Sequence, residues 1–162
     1  MKNDKLYTFH IAPLTEADAR AVCAWHYEGE YAVYNIPGWH TVVAQRWGIA
    51  DEALRSQEFY SLRNDADAIA GFFRLREQGE SVWISLGLAP EYCGHGLGKQ
   101  AMELILKEAR HKAPGKRPEL EVRAFNQRAI ACYTHAGFVE TDKYEKSTPM
   151  GSDIFVRMAL LP

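Results

Sequence analysis

The run Gly94-His95-Gly96-Leu97-Gly98-Lys99 is the segment best suited to hold an anion. It follows a stretch that reads as a strand, Ser81 to Leu88, and leads into one that reads as a long helix. A loop entering a helix offers unpaired backbone N–H groups and the positive end of the peptide dipole, a setting for phosphate or pyrophosphate. Glycine lets the anion approach the backbone because no Cβ intervenes. The spacing G-x-G-x-G differs from the G-x-G-x-x-G of a dinucleotide-binding loop, and the preceding strand closes a meander. The triphosphate-binding pattern G-x-x-x-x-G-K-[ST] also fails. Gln100 follows Lys99, and Cys93 occupies the place of its first glycine. Alone, the loop is also compatible with a tight turn that holds nothing.

The elements that must position this loop follow from periodicity and turn chemistry. Leu6 to Ile11 reads as a first strand, and Thr15 as the N-cap of a helix whose Ala17, Ala21, Ala24 and Trp25 share a face. Glu28 to Gln57 is rich in aromatics and carries the turn Asn35-Ile36-Pro37-Gly38; one or two short helices are expected there. Phe59 to Leu62, Ala68 to Leu75 and Ser81 to Leu88 read as a meander, with Gly87 hinting at a bulge. The helix after Gly98 runs to about Lys112, with Leu97, Ala101, Leu104, Ile105 and Ala109 on one face. Pro114-Gly115 and Pro118 should end it. Leu120 to Ala124 is a short strand, and Asn126 caps a second helix that stops at Gly137. Strands at Val139 to Tyr144 and Ile154 to Leu160 follow. This order predicts an α/β fold with a mixed, mostly antiparallel sheet flanked by helices.

Composition sets outer bounds. The chain has 162 residues and a formal net charge of -2, so it is long enough for one domain and presents no basic field for nucleic acid or an anionic membrane. The first twenty residues lack the apolar core of a secretory leader, and no apolar run approaches the ~20 residues of a membrane span. A cytoplasmic monomer or homodimer is expected. Cys23, Cys93 and Cys132 form neither a zinc pattern nor a disulfide framework, and no metal is expected.

The segment Leu120-Glu121-Val122-Arg123-Ala124-Phe125-Asn126-Gln127-Arg128-Ala129-Ile130, continuing to Tyr133 and Gly137-Phe138, supplies a second motif. Together with Pro90 to Gly98 it resembles the GCN5-related N-acetyltransferase (GNAT) family. That family's loop reads Arg/Gln-x-x-Gly-x-Gly/Ala, and its second signature is strand, Asn-x-x-Ala, Tyr, Gly-Phe. The likeness is strongest over Ser81 to Phe138, and the element order from Phe59 to Leu160 agrees. The first 57 residues match loosely. Cys93 stands where the family usually has Arg or Gln. A backbone cradle can survive this, but a side-chain contact is lost. The resemblance implies one N-acetyltransferase domain over residues 1–162. Residues 1–57 would form the acceptor side, 59–112 the meander, coenzyme loop and helix, and 119–162 the second motif and last strands.

By that resemblance, the chain binds acetyl-CoA and passes its acetyl group directly to an amine, without a metal. Strands splaying near Gly87 would free backbone groups of Leu86, Gly87 and Leu88 to hold the pantetheine arm. The pyrophosphate would rest on the Cys93–Gly98 loop, including His95 and Leu97, with Lys99 beside it and Asn126 touching the arm. Tyr133, seven residues from Asn126 and so on the same helix face, would protonate the departing thiolate. A phenol ordinarily titrates at about 10 and a thiol at about 8.5, close enough for that transfer. Cys132, next to Tyr133, would face elsewhere.

Many relatives carry a Glu general base where this chain has Ser85. Glu28, Glu30, Glu121, His26 and His40 are the replacements considered. Glu28, Tyr31 and Tyr34 are candidates to hold an amine cation. Tyr31, Tyr34 and Trp39 fit equally well as side chains packed on the sheet. Two other classes compete with the enzyme: a non-catalytic acyl-CoA-binding module, suggested by Ser85 and Cys93, and a binding domain with no coenzyme.

Overall fold

The structure is a computed structural model that describes residues 8–162. Strands span His10–Pro13 (β1), Phe59–Arg63 (β2), Ile69–Gln78 (β3), Ser81–Leu88 (β4), Arg117–Arg123 (β5), Phe138–Thr148 (β6) and Gly151–Leu160 (β7). Helices span Glu16–Cys23 (α1), Trp39–Ala44 (α2), Glu52–Glu58 (α3), Gly98–Lys112 (α4) and Gln127–His135 (α5), with 3-10 turns at Gly29–Tyr34, Gly48–Ala50 and Pro90–Tyr92. The seven strands hydrogen-bond in the order β1-β2-β3-β4-β5-β7-β6. β4 and β5 run parallel, whereas β1–β2, β5–β7 and β6–β7 are antiparallel. The mixed α/β sheet expected from the element order is present.

Chain contacts separate two compact units: one takes in the chain up to Phe73 together with Leu86–Leu97, the other Arg74–Ser85 with Gly98–Pro162. In the first, Thr15 and Asp18 form a reciprocal cap: Thr15 Oγ1 accepts from the Asp18 N–H (3.1 Å) and Asp18 Oδ2 from the Thr15 N–H (3.0 Å). The inward face of α1 is Asp18, Ala19, Val22 and Cys23, one residue round from the alanine stripe expected, and Ala17 and Ala24 are exposed. Asp18 causes this offset. It is drawn inside by Arg63, whose Nη1 donates to both carboxylate oxygens at 3.0 and 3.1 Å. The first strand also lies later than expected. β1 is His10–Pro13, and the Leu6–Tyr7 part of the expectation falls outside the described residues.

The aromatic segment builds the core of this unit. Leu14, Ala19, Val22, Ile49 and Phe59 form a buried cluster, and Trp25, Ile36, Trp39, Trp47, Ile69 and Phe72 pack against it. Full burial of each large side chain contributes about 1.5–3 kcal/mol. Trp39 is thus a packing residue, the second of its two readings. The two short helices α2 and α3 occupy the segment, within the one or two expected, and 3-10 turns at Gly29–Tyr34 and Gly48–Ala50 accompany them.

In the second unit, α4 buries Ala101, Met102, Ile105, Leu106 and Ala109, while Leu104 is only half-buried. α4 packs on α5, and α5 on β6. Pro118 belongs to β5, in register with Val82 of β4, rather than to the stop of α4. Proline is tolerated near a strand start, where a missing N–H costs least. Asn126 caps α5, its side chain accepting from the Ala129 N–H at 3.1 Å, and Gly137 leaves the helix with φ of 102°. The β6–β7 hairpin is longer than the alternation suggested, because β6 beyond Phe138 is mostly exposed and has no period-2 pattern.

Candidate acetyl-transfer site

In the first unit the end of β4 and the loop after it form a continuous local structure. A Cβ on Gly87 would lie 2.9 Å from Phe72 Cε1, and one on Gly71 would lie 2.9 Å from the Gly87 carbonyl oxygen. Close packing, not a positive φ, therefore demands glycine at position 87. The register that pairs β4 with β5 runs from Ser81↔Arg117 to Trp83↔Glu119, and β4 continues to Leu88. One expectation changes here. The Leu88 carbonyl is already engaged, accepting from Tyr27 Oη at 2.6 Å and from Cys93 Sγ at 3.7 Å.

Cys93 is half-buried and turns its thiol back to its own segment, also reaching the Ala89 carbonyl at 3.6 Å. Gly94 and Gly96 have φ of 78° and 72°, the left-handed region that a Cβ disfavours. Gly94, His95 and Gly96 are exposed, and a Cβ on Gly96 would meet nothing within 4 Å. The pair of left-handed glycines presents main chain with nothing packed over Gly96, which fits a backbone cradle for an anion. Leu97 is half-buried.

In the second unit, Gly98 opens α4 and Lys99 is exposed. A Cβ on Gly98 would come within 2.7 Å of Cys132 Sγ, so Cys132 faces the head of α4. Burial pushes the Cys132 thiol up, leaving it protonated and a poor nucleophile near neutral pH. Gly98→Ala should destabilise the protein by about 1–3 kcal/mol through overpacking. Cys132→Ala in the same chain should recover part of that loss, because it removes the crowding sulfur. A double-mutant cycle of melting curves with no coupling would contradict the contact.

Asn126 sits at the N-cap of α5 and Tyr133 lies half-buried on the same helix. The Tyr133 ring meets Phe138 edge-on, with centroids 6.3 Å apart. Glu121 is a poor base in this setting. Tyr144 Oη and Lys146 Nζ donate to its two carboxylate oxygens. Burial alone would raise its pKa, but the Lys146 and Tyr144 hydrogen bonds and the nearby Lys146 and Arg157 charges lower it. Tyr144 is correspondingly pushed up to about 12 by burial and by Glu121. The neighbouring Glu119, 3% exposed, accepts from Arg157 Nη2 at 3.0 Å. Alternate residues of β5 therefore carry a paired charge ladder on one face, while Leu120 and Val122 are buried on the other.

Of the remaining candidates, His26, Glu28, Glu30, His40 and Ser85 are exposed, and Tyr31 and Tyr34 stack at 6.4 Å. Sequence reasoning places Tyr27 and Asn35 in the aromatic and acidic stretch that could hold an amine cation but does not single out either as a site residue. The Asn35 amide accepts from the Tyr27 N–H (2.6 Å) and donates to the Tyr27 carbonyl (3.1 Å). The only signal was Asn35 opening a turn, which gives no hint of a partner eight residues earlier.

The sequence profile of the acetyltransferase (GNAT) family matches residues 19–138. The chain belongs to this family. A 5-NmdU N-acetyltransferase of Pseudomonas phage PaMx11 is 33% identical over 92 residues, 55% of this chain and 63% of that protein. The match thus spans somewhat less than two thirds of the phage protein's length. Among solved structures, a chimera built on the spermidine N-acetyltransferase SpeG of Vibrio cholerae superposes with a TM-score of 0.73 at 19% identity, covering 94% of both chains. A ribosomal-protein alanine N-acetyltransferase from Escherichia coli gives 0.66 at 21% identity, covering 94% of this chain and 93% of that one. These likenesses establish a GNAT fold. No helix among the described residues is long and apolar enough to cross a membrane.

Proposed function

We propose that this GNAT protein transfers the acetyl group of acetyl-CoA directly to a primary amine of a small molecule or peptide. The observation that carries the proposal is the exposed loop whose Gly94 and Gly96 both hold left-handed φ just before α4 begins at Gly98. Main-chain N–H groups in such a loop grip a diphosphate, and no side chain at the Cys93 position is needed for that grip. Backbone groups of Leu86 and Gly87 and the Leu88 N–H serve the pantetheine arm, with Asn126 contributing beside its capping role. The amine, in its neutral form, attacks the thioester carbonyl carbon. The tetrahedral intermediate collapses with cleavage of the C–S bond, and Tyr133 gives its proton to the sulfur. The proton lost by the amine passes to water or to one of the exposed acids of the Glu28–Tyr34 segment, whose Glu28, Tyr31 and Tyr34 face the acceptor.

The relatives support the reaction class, since each is named for acetylating an amine, and their differing acceptors leave this chain's own acceptor to measurement. Calorimetry with acetyl-CoA should show saturable uptake. Thiol release should rise when an amine panel is added, including spermidine, an alanine-terminated peptide and 5-NmdU. Absence of coenzyme uptake by folded protein would end the proposal.

A further inference from the structure

We infer that Tyr27, held in place by Asn35, is a positioning residue that fixes the coenzyme-facing end of β4 through the Leu88 carbonyl. The inference rests on the acetyltransferase reading above and goes beyond it, because no motif marks either residue. Tyr27 is half-buried, and its hydroxyl donates to the Leu88 oxygen at 2.6 Å, the short end of the O–H···O range. Burial, and then the nearby Cys93, push the Tyr27 phenol well above its ordinary value, so the donor keeps its proton at any working pH.

Asn35 fixes the other end of Tyr27. Its amide takes the Tyr27 N–H and offers its own N–H to the Tyr27 carbonyl, the pairing a neighbouring strand would make. Asn35 is itself anchored, since its backbone N–H donates to the Ala32 carbonyl at 3.0 Å. The intervening loop carries Glu28, Tyr31 and Tyr34, turns at Gly29 with φ of 62°, and has the Asn35 amide bridging its two ends. On the receiving side, the Ala89 N–H donates to the Ala70 carbonyl at 2.8 Å, so the peptide after Leu88 is held as well.

The Leu88 carbonyl shares one planar peptide group with the Ala89 N–H, so the Tyr27 hydroxyl and the Ala70 carbonyl grip that group from its two polar ends. Without Tyr27, the Leu88 oxygen would lose its short hydroxyl donor and keep the long Cys93 thiol contact, with the Ala89–Ala70 bond still holding the far side of the same planar peptide group. The Leu88 peptide plane could then tilt about its remaining Ala89–Ala70 anchor, and the backbone groups of Leu86 to Leu88 would be directed less firmly toward the pantetheine arm. The contact also ties the segment bearing the acceptor candidates to the strand bearing the donor.

The test is calorimetry of acetyl-CoA binding beside thermal melts. Tyr27→Phe keeps the ring and removes only the hydroxyl. It should weaken acetyl-CoA binding by about 3- to 10-fold, the range of one lost hydrogen bond. Asn35→Ala should do the same, and the double variant should be no more than about twofold worse than either, because both act through one chain of contacts. Asn35→Asp keeps the acceptor for the Tyr27 N–H and should fall between. It also provides a reading should Tyr27→Phe fold poorly. If the folded variants melt earlier yet bind acetyl-CoA as the parent does, the hydroxyl is a structural support alone and the inference is overturned. If the parent chain itself takes up no acetyl-CoA, the acetyltransferase reading fails instead.

Discussion

Tyr133→Phe is expected to lower acetyl-transfer turnover by about 10²- to 10³-fold, the lower part of the range for removing a general acid. Acetyl-CoA affinity should change less than about twofold. The ring remains, so its edge-on contact with Phe138 at 6.3 Å is kept and α5 retains its seat. On the mechanism proposed above, what disappears is the proton for the departing thiolate. A thiolate leaving unprotonated must be expelled as an anion, and the barrier rises with the basicity of the leaving group. The deficit should therefore shrink when acetyl-CoA is replaced by an acetyl thioester of a more acidic thiol. Initial rates across pH with both donors check this. Equal turnover for parent and variant at every pH would remove Tyr133 from the mechanism, as would a deficit that ignores the leaving group.

Asp18→Ala should cost about 2–4 kcal/mol of stability, the largest effect expected outside the site. Two losses combine: the reciprocal cap with Thr15, and a carboxylate, 8% exposed, that receives two bonds from Arg63. Arg63 keeps Asp67, at 3.0 Å, which limits the damage. Burial alone would raise the Asp18 pKa, but the Thr15 backbone N–H, the Arg63 bonds and the Arg63 charge outweigh it and hold the pKa below the usual carboxylate range. A folded-state pKa below the unfolded value means that Asp18 stabilises fully above about pH 4, its unfolded value. That stabilisation fades as pH falls through the lower folded value. Asp18→Asn retains a capping oxygen but carries no charge. The gap between parent and Asp18→Asn should be steady from neutral pH down to about pH 5 and should close in stronger acid. Urea unfolding across that range measures it, and a gap that does not close would show that the charge contributes nothing.

The paired motifs around Gly94–Gly98 and Asn126–Tyr133 were legible because each rests on local chemistry. A helix start needs free N–H groups and glycines, and a cap needs a short polar side chain. The residues concerned lie within a few positions of one another. The same holds for Thr15 and for Gly137, whose φ of 102° suits only glycine at a helix exit. The inward face of α1 lies one residue from the alanine stripe because Asp18, though charged, turns inside, and nothing local in the sequence shows that Arg63, 45 positions away, draws it there. By sequence alone Glu121 is a possible base, and only the fold brings Tyr144 and Lys146 onto its two oxygens. The long β6 escaped because an edge strand with both faces exposed carries no alternation.

The sequence by itself determined the α/β order of elements, the caps and the glycine loop, and hence the family, because these depend on backbone conformation and on neighbours a turn or two away. Only the tertiary structure decided which carbonyls and carboxylates were already taken. Tyr27 on Leu88, Arg63 on Asp18 and Lys146 on Glu121 join residues 61, 45 and 25 positions apart. A hydrogen bond depends on distance in space, and for such pairs that distance is set by how whole strands and helices pack, not by spacing along the chain.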